Sequence, residues 1–345
     1  MAPQQPSSHW PRLKKQHYNP SISLQCAVSS IRCEVIGTRT IGGLMNVSDY
    51  ASPEDVAYFT TRSDWQGWRL VLGNWLSIAA IFAVVAAWPN PITIVLAVIL
   101  LASRQMGLSV MMHDCGHRSL FRSKRLNAVV GQWLCALPVM SDQPSYARGH
   151  LEHHAKSGSI ADPDLSNYQA YPVSRASFKR KVIRDLSGQT GFKLMSSIVH
   201  GAAGALSKEK RASALPFVKQ LLVQLVLFAI LAACGIGWTF LLWAVAYMTV
   251  FMLIIRIRQV AEHAAVPDLF DLDTRMNTRT VDAPWWQRMI FAPCGVNYHL
   301  EHHFMASVPS YKLRELREHL RNRHALDGVP QFDGYGAVLR QAVTG

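Results

Sequence analysis

The chain has little charge and no cysteine pattern. Only 17% of its 345 residues are Asp, Glu, Lys or Arg, and half are apolar. That balance excludes a disordered chain, which needs low hydrophobicity and high net charge. The six cysteines, at positions 26, 33, 115, 135, 234 and 294, form no CxxC pair. A disulfide framework and a Cys-type zinc site are therefore excluded, and Cys26 and Cys33 read as incidental. Twenty-one glycines and 17 prolines are too few for a collagenous or low-complexity protein. Residues 1–44 lack the basic start and long apolar core of a secretory signal. Acidic residues are scarce too, 22 against 35 basic ones, for a net charge of +13. Such an excess suits nucleic acid, an anionic membrane or an acidic partner. No nucleic-acid-binding motif accompanies it, so that partner class is disfavoured.

What the sequence does have is long apolar runs. A spanning helix needs about 20 mostly apolar residues. Four segments qualify or come close, at about 70–88, 92–112, 217–234 and 238–257. The expected fold is thus an all-α integral membrane protein with four transmembrane helices in two hairpins. Pro89-Asn90-Pro91 and Gly235-Ile236-Gly237 join the hairpins, and neither link carries Lys or Arg. The basic residues lie on the other flanks, so the positive-inside rule places both termini and the central loop in the cytoplasm. Segments 126–140 and 194–206 are too short to span and read as interfacial or re-entrant. Residues 1–49 read as a polar N-terminal extension, with Met45 a more natural start, residues 50–325 as the working domain, and 326–345 as a C-terminal tail.

Histidine is the unusual residue. There are fourteen, and eight fall in three clusters: His113 and His117; His150, His153 and His154; His299, His302 and His303. Residues three and four apart share a helix face, so each cluster can aim imidazoles at a metal. Catalytic zinc takes three protein ligands and structural zinc four, so eight overfill one ion and suit two at about four each. The order His-Leu-Glu-His-His differs from HExxH and makes a zinc-protease reading poor. Imidazole serves Fe, Zn, Cu and Ni alike, so the ligands alone choose no metal. All clusters meet only on one side of the membrane, which requires that 126–140 not span.

Three motifs make the sequence resemble the membrane fatty acid desaturase and hydroxylase superfamily. They are His113-Asp-Cys-Gly-His117 followed by Arg118-Ser-Leu-Phe121, Arg148-Gly-His150-Leu-Glu-His153-His154, and Asn297-Tyr-His299-Leu-Glu-His302-His303 followed by Ser307-Val-Pro-Ser-Tyr311. The resemblance covers roughly residues 50–325. It implies a cytosolic helical cap holding two iron ions, with O2 as co-substrate and a fatty-acyl or lipid substrate. It also implies a ninth ligand, His263, after the fourth span, with Gln259 one turn before it as a partner. No His-Pro-Gly-Gly haem signature occurs, so electrons must come from a separate acidic carrier of ferredoxin or cytochrome b5 type. The third motif opens on His299 rather than the Gln of front-end desaturases, which disfavours that regiochemistry.

Several residues admit two readings. Glu152 and Glu301 either orient a neighbouring histidine or form surface ion pairs. Asp162 and Asp164 either anchor the second cluster or lie in a solvated turn. Cys115 reads as a packing residue, His200 as structural, and His9, His17, His319 and His324 as solvated. Trp285 and Trp286 suit a membrane interface or a cytosolic core. The basic stretches 175–193 and 310–325 meet anionic headgroups or an electron carrier. The expected function is an O2-dependent desaturase. The alternatives are a hydroxylase or another oxygenase on the same scaffold, including a terminal-alkene-forming or carotenoid one. A metal-binding membrane protein without catalysis fits less well, because the histidines lie beyond the span ends and Arg104 is the main intramembrane charge.

Overall fold

The computed structural model describes residues 45–207 and 214–345. The expectations for Cys26, Cys33, His9, His17 and the extension up to residue 44 lie outside the described residues. Among those described, four helical stretches are long and apolar enough to cross a membrane: Pro53–Ala87, Pro91–Gly116, Leu215–Ala233 and Gly237–His263.

The first stretch is two helices, α1 (Pro53–Thr60) and α2 (Asp64–Ala87). Ser63 caps α2 by accepting from Gln66 N–H. α3 (Pro91–Gly116) follows within three residues. Asn90 accepts from the Ile92 and Thr93 amides and Pro91 supplies the first turn, a combination that starts a helix sharply. α3 is the central element. Most of its second half, from Leu101 to Cys115, is buried, and it packs against α2 and against the fourth stretch. The α2–α3 contact is close because Gly107 lacks a side chain. A Cβ there would stand 2.5 Å from Asn74 Oδ1, and Asn74 Nδ2 donates across to the Arg104 carbonyl at 3.1 Å. Small residues and interhelical polar contacts of this kind hold helices together in lipid.

After the first histidine pair the chain turns at Arg118, whose φ is 56°. Residues 124–139 then form an α, π and 3-10 succession packed against α3, and the stretch is not among the four candidate spans. α4 (Gln143–Lys156) carries the second cluster. Asp142 caps it and accepts from Gln132 Nε2 at 3.0 Å, and Gln132 Oε1 accepts the Gln143 amide at 2.9 Å. The entry angle of α4 is thereby tied to the π segment.

β1 (Val173–Ser174), α5 (Arg175–Leu186) and α6 (Gln189–Ser207) follow, the last leaving Phe192 and Val199 exposed. α7 (Leu215–Ala233) is the outermost of the candidate spans, with most of its apolar side chains exposed. Gln224 anchors it, donating to the Pro138 carbonyl at 2.9 Å and accepting from Trp243 Nε1 at 3.2 Å. The fourth stretch is broken where a single helix was expected. α8 (Phe240–Met248) and α9 (Val250–His263) meet at Thr249, with φ −122° and ψ −86°. Gly191 of α6 lies against that break, where a Cβ would be 2.5 Å from the Met248 carbonyl. α9 continues well past residue 257 and ends on His263.

The third cluster sits on the short α10 (His299–Phe304), and α11 (Leu313–Asn322) packs behind it through Leu313, Leu316 and Leu320. Residues 326–345 are no free tail. α12 (Tyr335–Ala342) buries Tyr335 and Val338 and packs against α9, and β2 (Val343–Thr344) pairs in parallel with β1. Residues 45–50 likewise belong to the packed body, since Met45, Val47 and Tyr50 rest on the Leu313–Leu316–Leu320 cluster.

Candidate metal centre

The ends of α3 and α9 and the helices α4 and α10 converge on one point. The end of α3 brings His113 and His117, α4 brings His150, His153 and His154, the end of α9 brings His263, and α10 brings His299, His302 and His303. The nine imidazoles fall into two groups whose candidate ligand atoms lie within 4.8 Å of one another. One holds His113, His117, His150, His154 and His302. The other holds His153, His263, His299 and His303. The groups adjoin, with the His154 and His303 rings 4.3 Å apart.

The grouping differs from one cluster per metal. In each HxxHH run the first and last residues, four apart, face one group, and the residue between them faces the other. His150 and His154 serve the first group and His153 the second; His299 and His303 serve the second and His302 the first. Consecutive helical residues point about 100° apart, so neighbouring histidines reach different centres.

Several rings are fixed by their second nitrogen. His113 Nδ1–H donates to Asp114 Oδ1 at 2.9 Å, His153 Nδ1–H to Asp162 Oδ1 at 2.8 Å, and His263 Nδ1–H to the Asn277 carbonyl at 3.1 Å. Each bond leaves Nε2 with a bare lone pair. A carboxylate or carbonyl behind an imidazole is the usual support of a metal ligand. Asp162 is itself held by the Tyr168 hydroxyl and the Asp164 amide. Asp114 was not singled out from the sequence; its signal was the acidic residue directly after the first histidine. Its Oδ2 also accepts the Ser310 amide at 3.3 Å.

The bare nitrogens crowd together. His302 Nε2 is 3.0 Å from His113 Nε2 and 2.9 Å from His154 Nε2, and His154 Nε2 is also 3.0 Å from His150 Nε2. In the second group His263 and His299 Nε2 are 2.8 Å apart. One proton cannot satisfy a nitrogen shared among three rings, so these lone pairs face one another unless a cation sits between them. Imidazoles about 2.1 Å from one ion and at right angles about it stand roughly 3.0 Å apart. Among the described residues, His117 Nε2 and His303 Nε2 are buried without a hydrogen-bond partner. The donor set fits two metal ions.

The electrostatics agree. Burial, then the neighbouring imidazoles, pushes His117 down to about 2 and His154 down to about 3. The same causes hold His150, His299, His302 and His303 well below the ordinary histidine range. Neutral imidazole is the metal-binding form.

The two glutamates part ways. Glu301 is fully buried, accepting from Arg317 Nη1 at 2.6 Å and from the Thr280 hydroxyl, so it secures α10 from behind. Glu152 is half exposed and pairs with Lys156 one turn on, and among the described residues it makes no hydrogen bond to a histidine. Asp164 lies 3.9 Å from His153 Nδ1. Gln259 lines the adjoining cavity together with five of the histidines. Cys115 packs beneath Gly131, His200 is exposed, and His324 is exposed beside Asp327. His319, expected to be solvated, is half-buried and meets the Tyr50 carbonyl at 2.8 Å. Arg317, expected on the basic face, turns inward. Arg314, Arg321 and Arg323 stay exposed. Trp285 and Trp286 are exposed on a short helix packed against α3.

The sequence matches the family model described as fatty acid desaturase over residues 89–335. It is similar to dihydrorhizobitoxine desaturase of Bradyrhizobium elkanii, 26% identical over 263 residues, covering 70% of this chain and 73% of the relative. It is also similar to sn-1 oleoyl-lipid 12-desaturase of Anabaena variabilis, 26% identical over 275 residues, covering 70% of each. A shorter match, 38% identical over 73 residues, joins 21% of this chain to 19% of an sn-1 acyl-lipid omega-3 desaturase (ferredoxin) of a Synechocystis strain.

Proposed function

The chain belongs to the fatty acid desaturase family, and from that premise we propose that it is a membrane enzyme that uses O2 to remove two hydrogens from adjacent carbons of a fatty-acyl or lipid substrate. The observation that carries this is the meeting of nine imidazoles in two adjoining groups, five of them lining a cavity of about 360 Å3 that runs on between apolar residues of α3, α8 and α9. Two iron ions held there would turn O2 into an oxidant able to break an unactivated C–H bond. Overall, one CH2–CH2 unit, O2, two electrons and two protons become one CH=CH unit and two waters.

The protein's own share is positional. His113, His153 and His263 are oriented by Asp114, Asp162 and the Asn277 carbonyl, while Arg317 and Thr280 hold Glu301 and with it the α10 ligands. Val110, Tyr247, Phe251 and Ile255 line the cavity beyond the histidines and would lay an acyl chain beside them and keep water out. Desaturation and hydroxylation differ in how far the second carbon stands from the oxidant, so this lining decides the product.

Electrons would come from a separate acidic carrier. The exposed Arg314, Arg321 and Arg323 of the α11 region offer it a basic face, and Arg317 links that helix to Glu301 and the third cluster. The relative named for ferredoxin supports a carrier of that type. Both termini and the metal centre are assigned to the cytoplasmic side, on the distribution of Lys and Arg around the spans.

The test is expression in a host with simple lipids, followed by mass spectrometry of fatty acids, lipids and hydrocarbons, beside a His302→Ala control. New unsaturation lost in the control supports the reading. A new hydroxyl, a lost carboxyl or no change each replaces it.

A further inference from the structure

The helix Trp285–Phe291 is too short to span a membrane, yet it lies at the depth of one. It packs on α3 and α9. The Met289 carbonyl accepts from the Ser103 hydroxyl and from Arg104 Nη2 at 2.8 Å, and Arg104 Nη2 also donates to Ser103 Oγ at 2.9 Å. Serine has a short side chain, so this contact fixes the height of Met289 along α3. Ser103 lies twelve residues beyond Pro91, the first residue of α3. At 1.5 Å per residue that is about 18 Å. The Trp88–Asn90 turn joins two candidate spans and so marks one membrane face. A hydrocarbon core is about 30 Å thick, which puts the Met289 backbone inside it. From that level two segments climb to the metal centre together: ten residues separate Ser103 from His113, and ten separate Met289 from His299.

The side chains of the short helix sort as that depth requires. Trp285, Trp286 and Met289 are exposed, while Ile290 and Phe291 join the core. The polar residues turn to the cap: Gln287 Oε1 accepts the Tyr335 amide at 2.9 Å, and Arg288 lines a polar groove with Arg314 and Arg321. A helix with an aromatic face and a polar back is the form that lies in a bilayer interface. Its weak point there is the backbone. The last four carbonyls of a helix have no partner within it, and a bare carbonyl in hydrocarbon is costly. Arg104, a charge in the middle of α3, meets that need at Met289. We infer that the Trp285–Phe291 helix is immersed in the leaflet on the side of the metal centre, with Trp285, Trp286 and Met289 against lipid acyl chains and Arg104 holding its end down. The third histidine cluster follows within ten residues and is thereby hung from the bilayer at a fixed height.

The experiment puts p-benzoylphenylalanine, one site at a time, in place of Trp286, Met289, Leu76 and Arg314 in the full chain, held in phosphatidylcholine nanodiscs. Leu76 is exposed on α2, twelve residues before Trp88, and reports lipid; Arg314 is exposed on α11 and reports water. Irradiation joins the benzophenone to a nearby C–H bond. Ester cleavage and mass spectrometry then tell acyl-chain adducts from headgroup adducts. Trp286 and Met289 should give acyl adducts at about tenfold or more the yield from Arg314, and of the same order as Leu76. Arg104→Leu should lower the acyl yield at Met289 about twofold or more with that at Leu76 unchanged, and Arg104→Lys should restore it. Trp286 and Met289 yields as low as that of Arg314 overturn the inference. A cross-link to a second copy of the chain in place of lipid overturns it too and assigns the face to self-association. An undiminished Met289 yield in Arg104→Leu overturns the role given to Arg104.

Discussion

His153 and His154 are neighbours in the chain, yet they face different metal groups. His153 joins His263, His299 and His303, and His154 joins His113, His117, His150 and His302. Loss of either should therefore have unequal effects. His154→Ala leaves four imidazoles in its group, whereas His153→Ala leaves three. Metal analysis of the purified variants should find less iron in His153→Ala than in His154→Ala, with turnover lost in both. Equal iron in the two variants would argue against the division into five and four.

His263 is the candidate ligand that stands outside the three clusters. Its Nε2 is 2.8 Å from His299 Nε2, and its Nδ1 is fixed by the Asn277 carbonyl. His263→Ala and His263→Gln should both lose one iron and most turnover while the chain still inserts. Two irons and near-normal turnover in both variants would remove His263 from the set.

The carboxylates behind the rings make a sharper comparison. Asp114→Ala and Asp162→Ala each remove the acceptor of an Nδ1–H, and loss of such a partner typically lowers metal affinity about 10–100-fold. Glu152→Ala removes a half-exposed group that pairs with Lys156, and should leave affinity unchanged. Competition with a graded chelator measures all three. A Glu152→Ala loss as large as that of Asp162→Ala would contradict the placement of these side chains.

The contrast between Glu152 and Glu301 shows where sequence reading stops. Both occupy the same place in the string His-Leu-Glu-His-His, so local spacing treats them alike. One is solvated beside Lys156; the other is buried under Arg317 and Thr280, which are distant in the chain. The four apolar runs were legible because lipid demands length and apolarity of each helix alone. The three clusters were legible as candidate ligands because helical spacing is local, whereas His263 came with the resemblance. The sharing of each HxxHH run between two groups was not, since it depends on where α3, α9 and α10 end relative to α4. Nor was the break at Thr249, which depends on the approach of Gly191 from α6. The packing of residues 326–345 against α9 was equally hidden, because their short apolar pattern carries no partner's address.

The α2–α3 contact predicts a packing defect away from the metal. At Gly107 a Cβ would fall 2.5 Å from Asn74 Oδ1, so Gly107→Val must displace Asn74 and break its bond to the Arg104 carbonyl. Overpacking of this kind costs about 1–3 kcal/mol. The melting midpoint in detergent should fall, while Gly73→Ala, at a position with nothing within 4 Å, should change little. Equal midpoints for the two variants would show that the helices do not approach through Gly107.

The buried histidines also predict how the metal-free chain responds to acid. The folded values of His117 and His154 are pushed down to about 2 and about 3, and His150, His299, His302 and His303 are held well below the ordinary range. The unfolded chain titrates near 6.5. Above that pH neither state binds protons at these rings, and stability is fully present. Below it the unfolded state takes up protons that the folded state refuses, so stability is lost progressively from about pH 6.5 down towards the folded values. Each ring contributes up to about 1.4 kcal/mol per pH unit in that window. The melting midpoint of chelator-treated protein should be level from pH 8 to 7 and fall steeply from 6.5 to 5. His154→Gln should make the fall shallower, having one such ring fewer. Iron loading should raise the midpoint at each pH without flattening the fall, because the metal stabilises the folded state, whose imidazoles are already neutral, while the unfolded chain still takes up protons. A midpoint that stays level down to pH 5 without metal would mean that these imidazoles are hydrated and not packed against one another.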